Sequence, residues 1–464
     1  MNGRRFAALC PLPAVFAAGA ALAWNWRARA PERIATDLAQ PLVVVTAWGS
    51  YGAVAFAILG GTILTVALAL VIVGRRLAQT ARDDDVAAVA LVAALCIGAA
   101  IAWPFVFSSD PYAYAAYGAM VRDGIDPYAP LGTQVSGPFY DAARWQWGGA
   151  YPVCVYGPLF VAVAAAVVTA LGAHGVAATL LGFRLLAALA FVGSIGFLNI
   201  ALGGLSRPRR FVALCAYGLN PVILWTVAEG HNDALLLLAA TGAAALARAR
   251  PALGAFVLGL GPLLKAPALA FAFGAALDTW LRGRPERARI LAALGAGLGL
   301  AALLTLPLMR PALASLDAHG RYAPEISVQG LLGPLWAFAL AGLAATTGIV
   351  RLWRHDAAGA AWLGIALLLA LPNGYPWYAL WLVPWCLAAG DGAASRALWA
   401  ATISAGLRYL PDATGTLGPE AARLVSAVAA LPLAFAVADF RPTLLKSGRH
   451  GPPIPPKKKA PARS

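Results

Sequence analysis

The chain has 464 residues, 61% of them hydrophobic and 12% charged, against about 25% charged in a typical soluble domain. Its formal net charge of +15 comes mostly from short basic clusters between apolar runs and from the C-terminal tail. That is the pattern of positive-inside loops, and it excludes a nucleic-acid-binding surface. Runs long enough to cross a bilayer recur from end to end, with none of the short alternating segments of a barrel, so the expected class is an all-α polytopic integral membrane protein.

Candidate spans fall near 6–26, 53–74, 86–107, 157–173, 176–204, 211–228, 231–249, 252–265, 266–281, 290–309, 331–353, 357–372, 376–390, 395–410 and 420–440. Several are short for a full crossing, so the expected number is roughly 11 to 14. The N-terminus, MNGRRFAALCPLPAVFAAGAALAW, has the grammar of a signal peptide and equally of a retained first span, the preferred reading. Arg4-Arg5, Arg75-Arg76, Arg248/Arg250, Arg282–Arg289 and Arg351/Arg354 mark cytoplasmic ends. Loop 108–157, a tip at Lys265, loop 310–330 and the turn at 372–375 then face outside. Arg207, Arg209 and Arg210 break this alternation, and Asn220-Pro221 marks an interrupted span. The expected organisation is one membrane domain, 1–440, followed by a disordered basic tail, 441–464, that faces the cytoplasm and anionic lipid. The five cysteines have neither metal-ligand nor CxxC spacing.

Polar residues are few enough to take one by one. Loop 108–157 contains SSDPYAYAAYGAMVRDGIDPY, with a helix expected over 111–122, lying flat on the membrane surface with its aromatics at headgroup depth. Asp110 reads either as the cap of that helix, with proline at the first helical position, or as a carboxylate facing a lipid-borne substrate. Tyr112, Tyr114, Tyr128 and Tyr156 read as an interfacial belt or as substrate contacts. The segment Glu229-Gly230-His231-Asn232-Asp233 enters an apolar run; Asn232 or Asp233 caps the next helix, or the group binds substrate. Lys265 either snorkels to the interface or holds an anion such as a lipid phosphate. Loop 310–330 supplies Arg310, His319 and Arg321 as further candidates. In NGYPWYALW, Tyr375, Trp377, Tyr378 and Trp381 form a membrane girdle or a sugar-stacking wall.

SSDPYAYAAYGAMVRDGIDPYAP with VYGPLF, then LNPVILWTVAEGHNDALLLL, LGLGPLLKAPAL and GYPWYALWLVP, together resemble the polyprenol-phosphate-mannose-dependent mannosyltransferases, α-1,6-mannosyltransferase-like enzymes of the glycosyltransferase C (GT-C) superfamily. The resemblance spans roughly 86–390. It implies a GT-C-like bundle with a large first external loop, and an inverting transfer of a hexose, here mannose, from a polyprenyl-phosphate donor to a glycan or lipid-linked acceptor at the external face of a cell membrane. It implies Asp110 as general base, with Lys265 as the first choice for the donor phosphate and Arg310 or Arg321 as alternatives. His231 and Asp233 would bind sugar hydroxyls. The family's GxNPY reads Gly124-Ile125-Asp126-Pro127-Tyr128 here, so Asp126 stands as a second carboxylate or as a turn residue.

Two rivals remain. A transporter or flippase of a lipid-linked sugar would show repeated halves and midplane polar groups, neither of which is visible. A polymerase or ligase using a lipid diphosphate lacks the ordered motifs. No cofactor is called for, and no dense acidic set supports a divalent metal.

Overall fold

The computed structural model describes residues 8–28, 60–69, 85–103, 110–128, 135–146, 154–281, 286–308, 327–408 and 419–440, plus the single residues 58, 71, 108 and 283. These build an all-α, polytopic membrane protein. Its helices are α1 Pro11–Ala28, α2 Gly60–Ala69, α3 Asp85–Ile101, α4 Asp110–Arg122, α5 Pro138–Gln146, α6 Pro158–Leu171, α7 Gly175–Ala201, α8 Arg207–Gly218, α9 Pro221–Ala228 and α10 Asp233–Ala249. They continue as α11 Pro251–Gly259, α12 Ala268–Leu281, α13 Arg287–Thr305, α14 Val328–Leu332, α15 Pro334–Trp353, α16 Gly359–Ala370, α17 Ala379–Ala388, α18 Ala393–Ser404 and α19 Pro419–Ala430. Proline sits in the first turn of α6, α8, α9, α11 and α15. Its missing N–H costs nothing there, because the first-turn amides have no intrahelical acceptor.

Among the described residues, 158–201, Arg287–Leu308 and Pro334–Trp353 are long and apolar enough to cross a bilayer. The pair α8 and α9 makes a fourth run, bent by 45°. The bend is where Asn220-Pro221 led one to expect it. Asn220 Oδ1 accepts from the amides of Val222 and Ile223 at 3.0 and 3.4 Å, and its Nδ2 donates to Thr402 Oγ1 at 2.7 Å. The new helix is thus capped and tied to α18. Other predicted spans are present as shorter apolar helices. The hairpin expected at 252–281 is α11, a 3-10 turn at Gly261–Leu263, and α12.

The packing has two centres. The larger is built from α1, α3, α7–α10 and α16–α18. The smaller gathers α4, α5, α6 and the start of α7, and Leu235 packs on both. Here the structure corrects an expectation. The tyrosines of α4 are not at the surface: residues 110–120 are all buried, and Tyr112, Tyr114 and Tyr117 are at most 1% exposed. Alanine and glycine between the aromatics let α6 approach α4 on one side while α5 and α7 cover others. Residues 310–326, with Arg310, His319 and Arg321, and the tail 441–464 lie outside the described residues.

Candidate active site

The site forms where the two packing centres meet. Ser108 Oγ accepts from the Asp110 amide at 3.2 Å, and Asp110 is the first helical residue of α4. Its carboxylate is therefore not spent on capping. Oδ2 accepts from Tyr114 Oη and Tyr156 Oη, both at 3.2 Å. Oδ1 has no hydrogen bond among the described residues, and the side chain keeps 11% exposure. Burial first, and the Asp110 charge second, push both phenols well above their ordinary range. The two hydroxyls therefore stay protonated donors at neutral pH.

Two backbone features bring Tyr156 into place. Tyr128 Oη donates to the Tyr156 carbonyl at 2.8 Å. Tyr156 also forms an isolated antiparallel bridge with Lys265, and the Gly157 amide donates to the Leu264 carbonyl at 3.1 Å. A side chain at Gly157 would collide with the Leu263 carbonyl, so glycine is what allows these strands of backbone to touch.

On the opposite wall, α9 ends at Ala228 and the chain turns through Gly230 at φ +87°, a left-handed conformation natural to glycine. That turn buries Glu229, His231, Asn232 and Asp233 together. Asp233 accepts from Lys265 Nζ at 2.8 Å through both oxygens and from Trp381 Nε1 at 2.6 Å. Asn232 Oδ1 lies 3.1 Å from Lys265 Nζ and 3.2 Å from Tyr114 Oη. Neither residue makes a side-chain cap. Lys265 does not snorkel: it is 7% exposed, with its ammonium 5.4 and 5.3 Å from the Tyr156 and Trp381 rings.

His231 occupies the centre. Its Nδ1 is 3.6 Å from Asp110 Oδ2 and 3.8 Å from Asp233 Oδ2, and its Nε2 is 3.6 Å from Glu229 Oε2. These distances are too long for strong hydrogen bonds. Neither ring nitrogen, nor Asn232 Nδ2, has a hydrogen-bond partner among the described residues. Trp377 stacks on the imidazole at 4.6 Å, and Tyr375 stacks on Trp377 at 4.5 Å. Tyr378 stacks on Trp381 at 3.8 Å. The segment 375–381 is therefore a wall of the polar cluster, not a lipid-facing girdle.

The structure thus gathers Asp110, Tyr114, Tyr156, His231, Asn232, Asp233, Lys265 and the aromatic wall. Tyr112 and Asp126 lie elsewhere. Tyr112 lines a cavity of about 370 Å³ with Trp103, Arg184 and Glu229. Asp126 is exposed, and its Oδ1 accepts from the Tyr128 amide at 2.9 Å, an Asx turn. Among the described residues, no group of three or more His, Cys, Asp or Glu side chains is arranged to hold a metal ion.

Arg184 was missed in the sequence, although a lone arginine inside the apolar run 176–204 is itself a signal. It donates to the Ile101 carbonyl at 3.3 Å and feels the charge of Glu229.

Comparison with known proteins identifies the family. The family described as alpha-(1->6)-mannopyranosyltransferase, N-terminal domain, matches residues 12–282, which include Asp110, the 229–233 turn and Lys265. The chain is 30% identical over 338 residues to alpha-(1->6)-mannopyranosyltransferase A of Mycobacterium tuberculosis (strain ATCC 25618 / H37Rv). The aligned part is 63% of this chain and 63% of that relative's length. No solved structure matches the chain significantly.

Proposed function

The chain belongs to the alpha-(1->6)-mannopyranosyltransferase family, and we propose that it transfers mannose from a polyprenyl-phosphate carrier to a glycan or lipid-linked acceptor at the external face of a cell membrane, with inversion and with Asp110 as general base. The observation that carries this is the Asp110 carboxylate: one oxygen pinned by two tyrosine hydroxyls, the other unbonded among the described residues and still open. The acceptor hydroxyl gives its proton to Asp110 Oδ1 as its oxygen bonds to the anomeric carbon. The bond from that carbon to the phosphate oxygen breaks, and its electron pair leaves with the polyprenyl monophosphate. A phosphate of this kind needs no proton to depart, so a single carboxylate suffices.

The other residues prepare that event. Tyr114 and Tyr156 fix the carboxylate plane, which keeps the base aimed at the acceptor. Asn232 Nδ2 and the His231 nitrogens are buried polar atoms that sugar hydroxyls can satisfy. Tyr375, half-buried and stacked on Trp377, offers an aromatic face to the sugar. The Lys265 charge is balanced by Asp233, so Lys265 acts chiefly by holding Asn232 and Asp233 in place.

The test is transfer from labelled polyprenyl-phosphate mannose in membranes containing wild-type protein or Asp110→Asn. Transfer by wild type and its loss in a folded Asp110→Asn protein are expected. Full activity in that variant would remove Asp110 from the base role. Movement of lipid-linked sugar across the membrane without any transfer would instead favour the transporter.

A further inference from the structure

A reaction that expels a lipid phosphate needs positive charge at that phosphate. Inversion puts the attacking hydroxyl and the leaving phosphate on opposite faces of the sugar. The cation must therefore stand across the sugar from Asp110, not beside it. Lys265 and Arg184 are both engaged by other groups of the protein. Lys265 is bound to Asp233 at 2.8 Å, and Arg184 faces Glu229 and donates to a carbonyl.

One further buried cation remains among the described residues. Arg408 closes the 3-10 turn Ala405–Arg408 after α18 and is 5% exposed. Its Nε has no hydrogen-bond partner, and no carboxylate among the described residues acts on its charge. An arginine ending a helix can bond the last carbonyls, but the Arg408 Nε makes no such bond among the described residues. A buried guanidinium without a counter-charge costs several kcal/mol, so its setting among the described residues favours an anion. Its place fits one from the reaction. The turn Ala405–Arg408 packs against the 3-10 turn Pro376–Tyr378, whose Trp377 stacks on His231. Gly406 also packs toward Val222 of α9. A chain of contacts thus runs from Asp110 through His231 and Trp377 to the turn that carries Arg408.

Resting on the reading of a lipid-phosphate donor, we infer that Arg408 is the phosphate-binding residue for the polyprenyl phosphate, both in the donor and in the departing product. The planar guanidinium presents paired N–H donors that match two phosphate oxygens. A lysine at this position keeps the charge but loses the fork.

The test uses the full-length protein in nanodiscs. Arg408→Gln should raise the donor KM at least tenfold, with a smaller change in kcat and little product inhibition by polyprenyl monophosphate. Arg408→Lys should fall between wild type and Arg408→Gln. Without any variant, polyprenyl monophosphate should raise the wild-type unfolding temperature in phosphatidylcholine discs and should still do so in discs containing phosphatidylglycerol. If phosphatidylglycerol alone gives the shift and abolishes that of polyprenyl monophosphate, Arg408 holds a phospholipid headgroup and the inference fails. It also fails if wild type transfers mannose while both Arg408 variants keep the wild-type donor KM, or if Asp412→Asn reproduces the Arg408→Gln profile, which would reveal an internal counter-charge. No transfer by wild type itself would strike the donor reading instead.

Discussion

Asp110-Pro111-Tyr112 and Asp126-Pro127-Tyr128 are the same tripeptide with opposite fates. Asp110 opens a buried helix, and its carboxylate meets hydroxyls from Tyr114 and Tyr156, 46 residues away in the latter case. Asp126 is exposed and bonds its own backbone two residues on. Even the tyrosines divide the work: Tyr112 lines the Arg184 cavity, while Tyr128 props the backbone of Tyr156. The second triplet thus serves the first. Local grammar is identical in the two, and only what surrounds each carboxylate separates the proposed base from a turn.

The sharpest way to break this comparison is to remove each carboxylate in turn. Asp110→Asn is expected to lower mannose transfer by roughly 10²–10⁴-fold, the usual worth of a general base, while Asp126→Asn stays within about twofold. Equal losses would return Asp126 to the site. Next in size is Lys265→Met, which leaves Asp233 buried without its partner and is expected to cost about 3–5 kcal/mol of stability. Thermal unfolding checks this, and Asp233→Asn added to Lys265→Met should recover part of the loss. Tyr156→Phe removes one hydrogen bond to a charged group, worth about 1.5–3 kcal/mol. Its effect should appear in kcat more than in unfolding temperature, whereas Tyr128→Phe, at about 1 kcal/mol for a neutral hydrogen bond, should do the reverse.

The smallest expected effect lies at the exposed end of α4. Hydrogen bonds from Arg122 and Tyr140 hold the Asp123 carboxyl below its ordinary range. A lowered folded value means that Asp123 contributes fully above the unfolded value of about 4. The contribution is lost as pH falls through the lower folded value. Asp123→Asn should therefore flatten the acid limb of stability slightly, the pair being exposed and screened. A steepened limb would contradict the assignment.

Much of this protein was readable early. Asn220-Pro221 announced the bend because a proline cannot donate inside a helix. His231, Asn232, Asp233 and Lys265 stood out because polar and ionisable groups are scarce in apolar runs. The burial of α4 was not readable. Tyrosine and alanine in alternation suit a membrane surface as well as a packed interior, and only the approach of α6 to α4 decides between them. Nor was the partner of Lys265 evident, since an interfacial lysine and an ion-paired one look alike in one dimension. Arg184 and Arg408 carried the same scarcity signal as Lys265 but lay within or at the end of runs that otherwise read as plain spans.

Composition and periodicity alone determined the membrane class, the order of helices and the short roster of polar residues, because these depend on how each segment partitions between water and an apolar phase. Tertiary structure alone decided which of those residues meet. The contact of Tyr114 with Asn232 spans 118 positions and that of Trp381 with Asp233 spans 148. Such contacts are set by how helices cross, and no local pattern encodes the crossing.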